Sequence, residues 1–183
     1  YLFVDLDVKE AGDYRITLKK GKRSTSVDYS IYTRRDGSRE REGFSSKDMI
    51  YLIMSDRFVD GDASNNTLAE MAEAADKSNV HGRFGGDIQG IINSLDHIAS
   101  LGATAIWPTP LLEDNEAAWS YHGYACSDYY HIDPRYGSNE MYCELVEKAH
   151  EKGIKMIMDM VPNHCGGTHW WMKDLPYQDW INQ

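Results

Sequence analysis

The chain has 183 residues, of which 42 % are hydrophobic and 26 % charged, and a formal net charge of −10. That balance suits a globular core, and the acidity argues against nucleic acid or an anionic membrane surface as partner, since no basic stripe is present to meet phosphates. No apolar run approaches the ~20 residues of a spanning helix.

The chain begins Tyr1-Leu2-Phe3-Val4-Asp5, with neither an initiator Met nor the basic-then-apolar order of a signal peptide. It is expected to be a piece of something longer or a processed form. Leu2, Val4, Leu6 and Val8 alternate with polar residues, as do Tyr14, Ile16 and Leu18, and Val27, Tyr29, Ile31 and Thr33. Period-two alternation broken by glycine-containing turns predicts three antiparallel strands, the last strands of a β-sandwich. Arg34 to Ser46 is charged, contains Gly37 and Gly43, and reads as a linker.

After the linker the pattern changes. Met49–Met54 is a continuous apolar run and therefore a buried strand. A long Gly/Asn/Asp loop follows, then one helix from Ile88 to Leu101, closed by Gly102. Ala103 to Trp107 predicts a second strand, stopped by Pro108. A loop to about Tyr136 leads into a helix from Asn139, closed by Gly153, and Ile154–Val161 predicts the third strand. The order βαβαβ implies a parallel sheet. Long βα loops with short αβ loops point to a (β/α) barrel, whose site is built from the βα loops. The expected fold class is therefore α/β: the first three βα units of a (β/α)8 barrel, preceded by the last strands of a β-sandwich.

Three stretches carry polar residues to those loops. Asp60, Asp62, Asn65 and Asn66 are hard oxygen donors packed into residues 60–66, a composition that can hold Ca2+ but by itself favours an Asx-rich turn. An EF-hand is excluded, because Asn65 and Met71 stand where Gly and Glu are required. Gly85-Gly86-Asp87 would complete such a loop. Tyr121-His122-Gly123-Tyr124 offers flat rings and hydrogen bonds to a sugar, or simply packs. Lys155 to Gly166 contains Asp159-Met160-Val161-Pro162-Asn163-His164, a strand whose end turns polar. Three cysteines without CxxC spacing, and His164 and His169 without a matching pair, give neither a zinc site nor a disulfide framework.

Together these motifs resemble the α-amylase family of glycoside hydrolases, and within it the neopullulanase, cyclomaltodextrinase and cyclodextrin-glycosyltransferase branch. The likeness runs from about Met49 to the end in matching order. It implies that Tyr124 stacks on the sugar on the non-reducing side of the scissile bond and that His122 and His164 hydrogen-bond its hydroxyls. It also implies that Asp159 buttresses the strand end, and that Asn163 touches a second calcium where members have one. Asp60, Asp62, Asn65, Asn66, Asp87 and the Gly85 carbonyl would hold the first Ca2+.

The resemblance divides the chain into 1–42, the end of a β-sandwich domain with its linker; 43–168, the first part of the barrel; and 169–183, the start of the insertion after the third strand. The family's catalytic carboxylates lie after strands four, five and seven, and no such motif occurs here. The expectation is an α-glucan hydrolase of which this stretch alone is inactive, its ligand a starch-derived oligosaccharide, pullulan or cyclodextrin. The rivals are a transglycosylase and a non-catalytic amylase-like binding domain. Self-association through an exposed sheet edge is expected, and a periplasmic or extracellular setting is favoured over the cytoplasm.

Overall fold

In the computed structural model, which describes residues 2–182, the chain divides into two compact units, Tyr1–Phe44 and Ser45–Gln183. The first holds one hairpin. Strand β1 (Gly12–Lys20) pairs antiparallel with β2 (Arg23–Ile31), from Gly12↔Ile31 to Lys20↔Arg23. The two-residue connection places Gly21 at φ +60°, the left-handed backbone that tight hairpin turns need. Cross-strand pairs fix the register: Arg15 reaches both Asp28 oxygens at 2.6 and 2.8 Å, and the Ser30 hydroxyl donates to Asp13.

Residues 2–8, expected as a further strand, carry none. Alternation supplies a face, but a strand also needs a neighbour to take its N–H and C=O groups, and this segment enters no ladder. The first unit is thus two-stranded where three strands were expected.

The second unit runs β3 (Ile50–Ile53), α1 (Ile88–Asn93), α2 (Leu95–Ser100), β4 (Ala105–Pro108), β5 (Leu112–Glu113), β6 (Asp128–Ile132), α3 (Asn139–Glu151) and β7 (Lys155–Met156). Strands β3, β4 and β7 lie side by side in that order, all parallel. Buried Ile53 of β3 and Ile106 of β4, with Ile154 just before β7, join Ile88, Ile91, Leu95, Ile98, Leu145 and Ala149 from the helices in one core. The expected βαβαβ order is present. Among the described residues no helix is long and apolar enough to cross a membrane.

Three expectations need correction. The single helix from Ile88 to Leu101 is broken at Ser94, whose hydroxyl donates to the Gly90 carbonyl while its N–H turns to Ile91. A serine that back-bonds in this way competes with the helical ladder. The loop after β4 contains the antiparallel pair β5–β6, which two residues are too few to announce in sequence. The third parallel strand is two residues rather than Ile154–Val161, because its ladder with β4 ends at Met156 and Ile157.

Candidate functional site

The carboxyl ends of β4 and β7 bring the five residues expected at the sugar wall together. Asp159 follows β7 and is half-buried; its Oδ2 accepts from Trp107 Nε1 at 3.0 Å and from the Tyr124 hydroxyl at 3.3 Å. The Tyr124 phenol is held above its usual pKa by burial and by the Asp159 charge, so it stays a donor to that carboxylate. Tyr124 N–H donates to His122 Nδ1 at 2.9 Å, which leaves the His122 proton on Nε2. Burial lowers the His122 pKa, with the Glu73 charge opposing, so the imidazole is neutral near pH 7. Its free Nε2–H is a donor suited to a hydroxyl.

His164 joins the same group from the other side. Its Nε2 donates to the Tyr124 carbonyl at 2.9 Å and its Nδ1 lies 3.3 Å from Asn163 Nδ2, so both ring nitrogens are engaged with protein. The Tyr129 hydroxyl holds the backbone here, within 2.6 Å of the His164 carbonyl and 3.1 Å of Val161's. Asn163 and His164 are exposed and border a cavity of about 490 Å³, also lined by Tyr129, Trp171 and Trp180.

The turn that carries His122 and Tyr124 is tightly built. Gly123 sits at φ +77°, and a Cβ there would stand 2.1 Å from the Pro110 carbonyl oxygen, so only glycine fits. Behind it lies a buried network that sequence reasoning missed. Arg135 donates to both Asp133 oxygens, to the Glu73 carbonyl and to the Asp114 carbonyl. Arg83, also buried, donates to the Ser120 carbonyl at 3.2 Å and lies 3.8 Å from Asp56. Burial pushes the Asp114 carboxyl up to about 6, although it accepts from Ala125 and Glu116 N–H. Charged residues in a loop-rich stretch give no periodic signal, so these partners become visible only in the fold.

The cation-loop residues gather separately, before and at the start of α1. Asp87 caps α1 through Gly90 N–H and accepts from the Gly61 and Asp62 amides, closing the loop onto the helix. Asp60 Oδ2 accepts from Asn66 Nδ2 at 2.8 Å. Asn65 Oδ1 and Asn66 Oδ1 are buried without a hydrogen-bond partner, and a Cβ on Gly85 would stand 2.3 Å from the latter. Two orphaned amide oxygens beside carboxylates fit a hard oxygen-seeking cation. Among the described residues no three His, Cys, Asp or Glu side chains group as a metal centre, so a cation here would need the Asn65 and Asn66 amide oxygens and the Gly85 carbonyl besides the carboxylates.

The family model described as alpha amylase, catalytic domain, matches residues 52–182. The chain belongs to that family. Cyclomaltodextrinase from Thermoanaerobacter pseudethanolicus is 38 % identical over 146 residues, covering 76 % of this chain and 25 % of its own length. Neopullulanase 2 from Thermoactinomyces vulgaris is 37 % identical over 141 residues, 73 % of this chain and 23 % of its own. Among solved structures, the alpha-amylase of Geobacillus thermoleovorans complexed with acarbose is similar with a TM-score of 0.60 at 36 % identity, over 75 % of this chain and 28 % of that one. The chain spans a quarter or less of the length of the curated relatives it matches first. Family and parallel sheet together make the second unit part of a (β/α)8 barrel. The resemblance read from the motif order, including the cyclomaltodextrinase and neopullulanase branch, agrees with these matches.

Proposed function

We propose that this chain supplies one wall of the sugar site, and a Ca2+ loop, of a retaining α-glucan hydrolase acting on starch-derived oligosaccharides, pullulan or cyclodextrins. The observation that carries the reading is the convergence of Tyr124, His122 and His164 with Asp159 at the ends of β4 and β7. Relatives named cyclomaltodextrinase and neopullulanase, and one solved in complex with acarbose, support the choice of ligand.

In this reading the Tyr124 ring offers a flat face to a sugar, and the neutral His122 donates its Nε2 proton to a hydroxyl. Asp159 orients Tyr124 and Trp107 and takes no part in bond cleavage. Retaining hydrolysis needs two carboxyl groups about 5–5.5 Å apart across the scissile bond. By the family resemblance those groups follow strands four, five and seven, so the 183 residues alone bind and orient but do not cleave. Residues 1–42 are assigned to a β-sandwich domain and 169–183 to an insertion after the third barrel strand.

The cation would sit among Asp60, Asp62, Asn65, Asn66, Asp87 and the Gly85 carbonyl, where it would neutralise the carboxylates and satisfy the two orphaned amide oxygens. Adding Ca2+ over chelator is expected to raise Tm by roughly 3–6 °C; no shift would remove the cation from this site. Reducing-sugar assays test the activity. The longer protein should release sugar from maltooligosaccharides and this chain should not; release by this chain alone, or none by either, would overturn the reading.

A further inference from the structure

We propose that Glu73 is the positioning residue for the sugar-contacting turn, its carboxylate holding the Trp119–Ser120 backbone so that Tyr124 reaches Asp159. The proposal rests on the reading of His122 and Tyr124 as sugar contacts. Glu73 belongs to the loop after β3, 46 and 47 residues away from the groups it grips. Its Oε1 accepts from Trp119 N–H at 3.2 Å and its Oε2 from Ser120 N–H at 2.7 Å, one oxygen for each successive amide.

The backbone it meets is unusual. Trp119 has φ +64° and ψ +14°, and it is the one non-glycine with positive φ among the described residues. A left-handed residue followed by a right-handed turn points consecutive N–H groups the same way, making a small concavity that suits an anion. A bulky side chain holds that conformation only where its surroundings over-determine it. The Trp119 ring is exposed and rests beside His81 at 5.8 Å, so the constraint falls on the backbone.

Glu73 is itself fixed. Its carbonyl accepts from Arg135 at 2.9 Å, and the neighbouring Ala72 N–H donates to the Asn115 side chain at 2.7 Å. The far side of the turn is held too. Arg83 donates to the Ser120 carbonyl, and the Arg57 guanidinium lies between the Phe84 and Tyr121 rings at 3.8 and 4.1 Å. The first βα loop thereby grips the turn of the second, and from Ser120 the chain reaches His122 within two residues. The Glu73 charge also opposes the effect of burial on the His122 imidazole, which ties the same carboxylate to the protonation of a sugar contact.

The test compares wild type with Glu73→Ala and Glu73→Gln in the whole chain, by amide hydrogen exchange, by NMR titration of His122 and by maltotriose binding. Glu73→Ala should speed exchange at Trp119 and Ser120 about tenfold, with the change spreading to Tyr124, and weaken maltotriose about tenfold. Glu73→Gln keeps one acceptor and should fall between, with the His122 midpoint lowered. If Glu73→Ala does not fold, the glutamine variant decides on the same readouts. Unchanged exchange at Trp119 and Ser120, or faster exchange spread evenly over the chain, would reduce Glu73 to a surface or general stabilising residue and overturn the proposal. Equal sugar affinity in wild type and variants would overturn the positioning role alone. A wild-type chain that binds no maltotriose would overturn the sugar reading and the proposal with it.

Discussion

The two sides of the candidate site are built differently. The His122–Tyr124 turn rests on a buried ionic scaffold, with Asp133 and Arg135 both fully buried, Arg83 behind Ser120, and Glu73 on the backbone. The Asp159–His164 side follows a two-residue strand at the sheet edge and is largely exposed, held by Trp107, Tyr124 and Tyr129. The first side is placed by charges that only a folded environment can satisfy. The second is placed by leaning on the first, because both of the hydrogen bonds from Tyr124 and to its carbonyl cross between them.

Removing one partner from each side should expose that asymmetry. Arg135→Ala removes both side-chain hydrogen bonds from the buried Asp133 carboxylate, leaving it two backbone amides and Arg83 at 4.0 Å, and is expected to cost about 3 kcal/mol in urea unfolding. Asp159→Ala frees two donors that water can reach, and should cost about 1 kcal/mol or less. Equal costs would mean that the two sides share one support.

A smaller effect concerns pH. The Asp114 carboxyl keeps its proton in the folded chain to about pH 6, against an ordinary value of 3.8. Between those values the folded chain binds more protons than the unfolded one, so this group makes stability fall as pH rises through the window. Asp114→Asn, which cannot ionise, should flatten the fall by about 2 kcal/mol between pH 4 and pH 7. A wild-type and variant difference that is constant with pH would place Asp114 in a wetter setting than the fold gives it.

How far the sequence carried the fold follows from the same contrast. Ile91, Leu95, Ile98, Leu145 and Ala149 recur at helical spacing and are buried, although Leu101 at the end of the same stretch is exposed, since helical periodicity is local and survives without knowledge of partners. Residues 2–8 alternate equally well and form no strand, because a ladder is a property of two segments. The pair β5–β6 was hidden for a related reason: the Asn139 side chain takes the Ile132 N–H from outside the strand, and Ser127 bridges to Glu113. Within the site, Tyr124, His122, Asp159 and His164 carry chemistry in their residue types and stood out. Glu73, Arg83 and Arg135 stand in loops without periodic signal, and their meaning lies in amides and carbonyls distant in sequence. Trp107, read only as the end of a strand, also serves as the donor that fixes Asp159.

The central claim, that these strand ends form a sugar-binding wall, is tested most directly by titrating maltotriose onto the chain and following side-chain and amide resonances. The expected result is saturable perturbation centred on His122, Tyr124, Asp159 and His164, weakened in Tyr124→Ala. Perturbations that gather elsewhere, or none up to millimolar sugar, would contradict it.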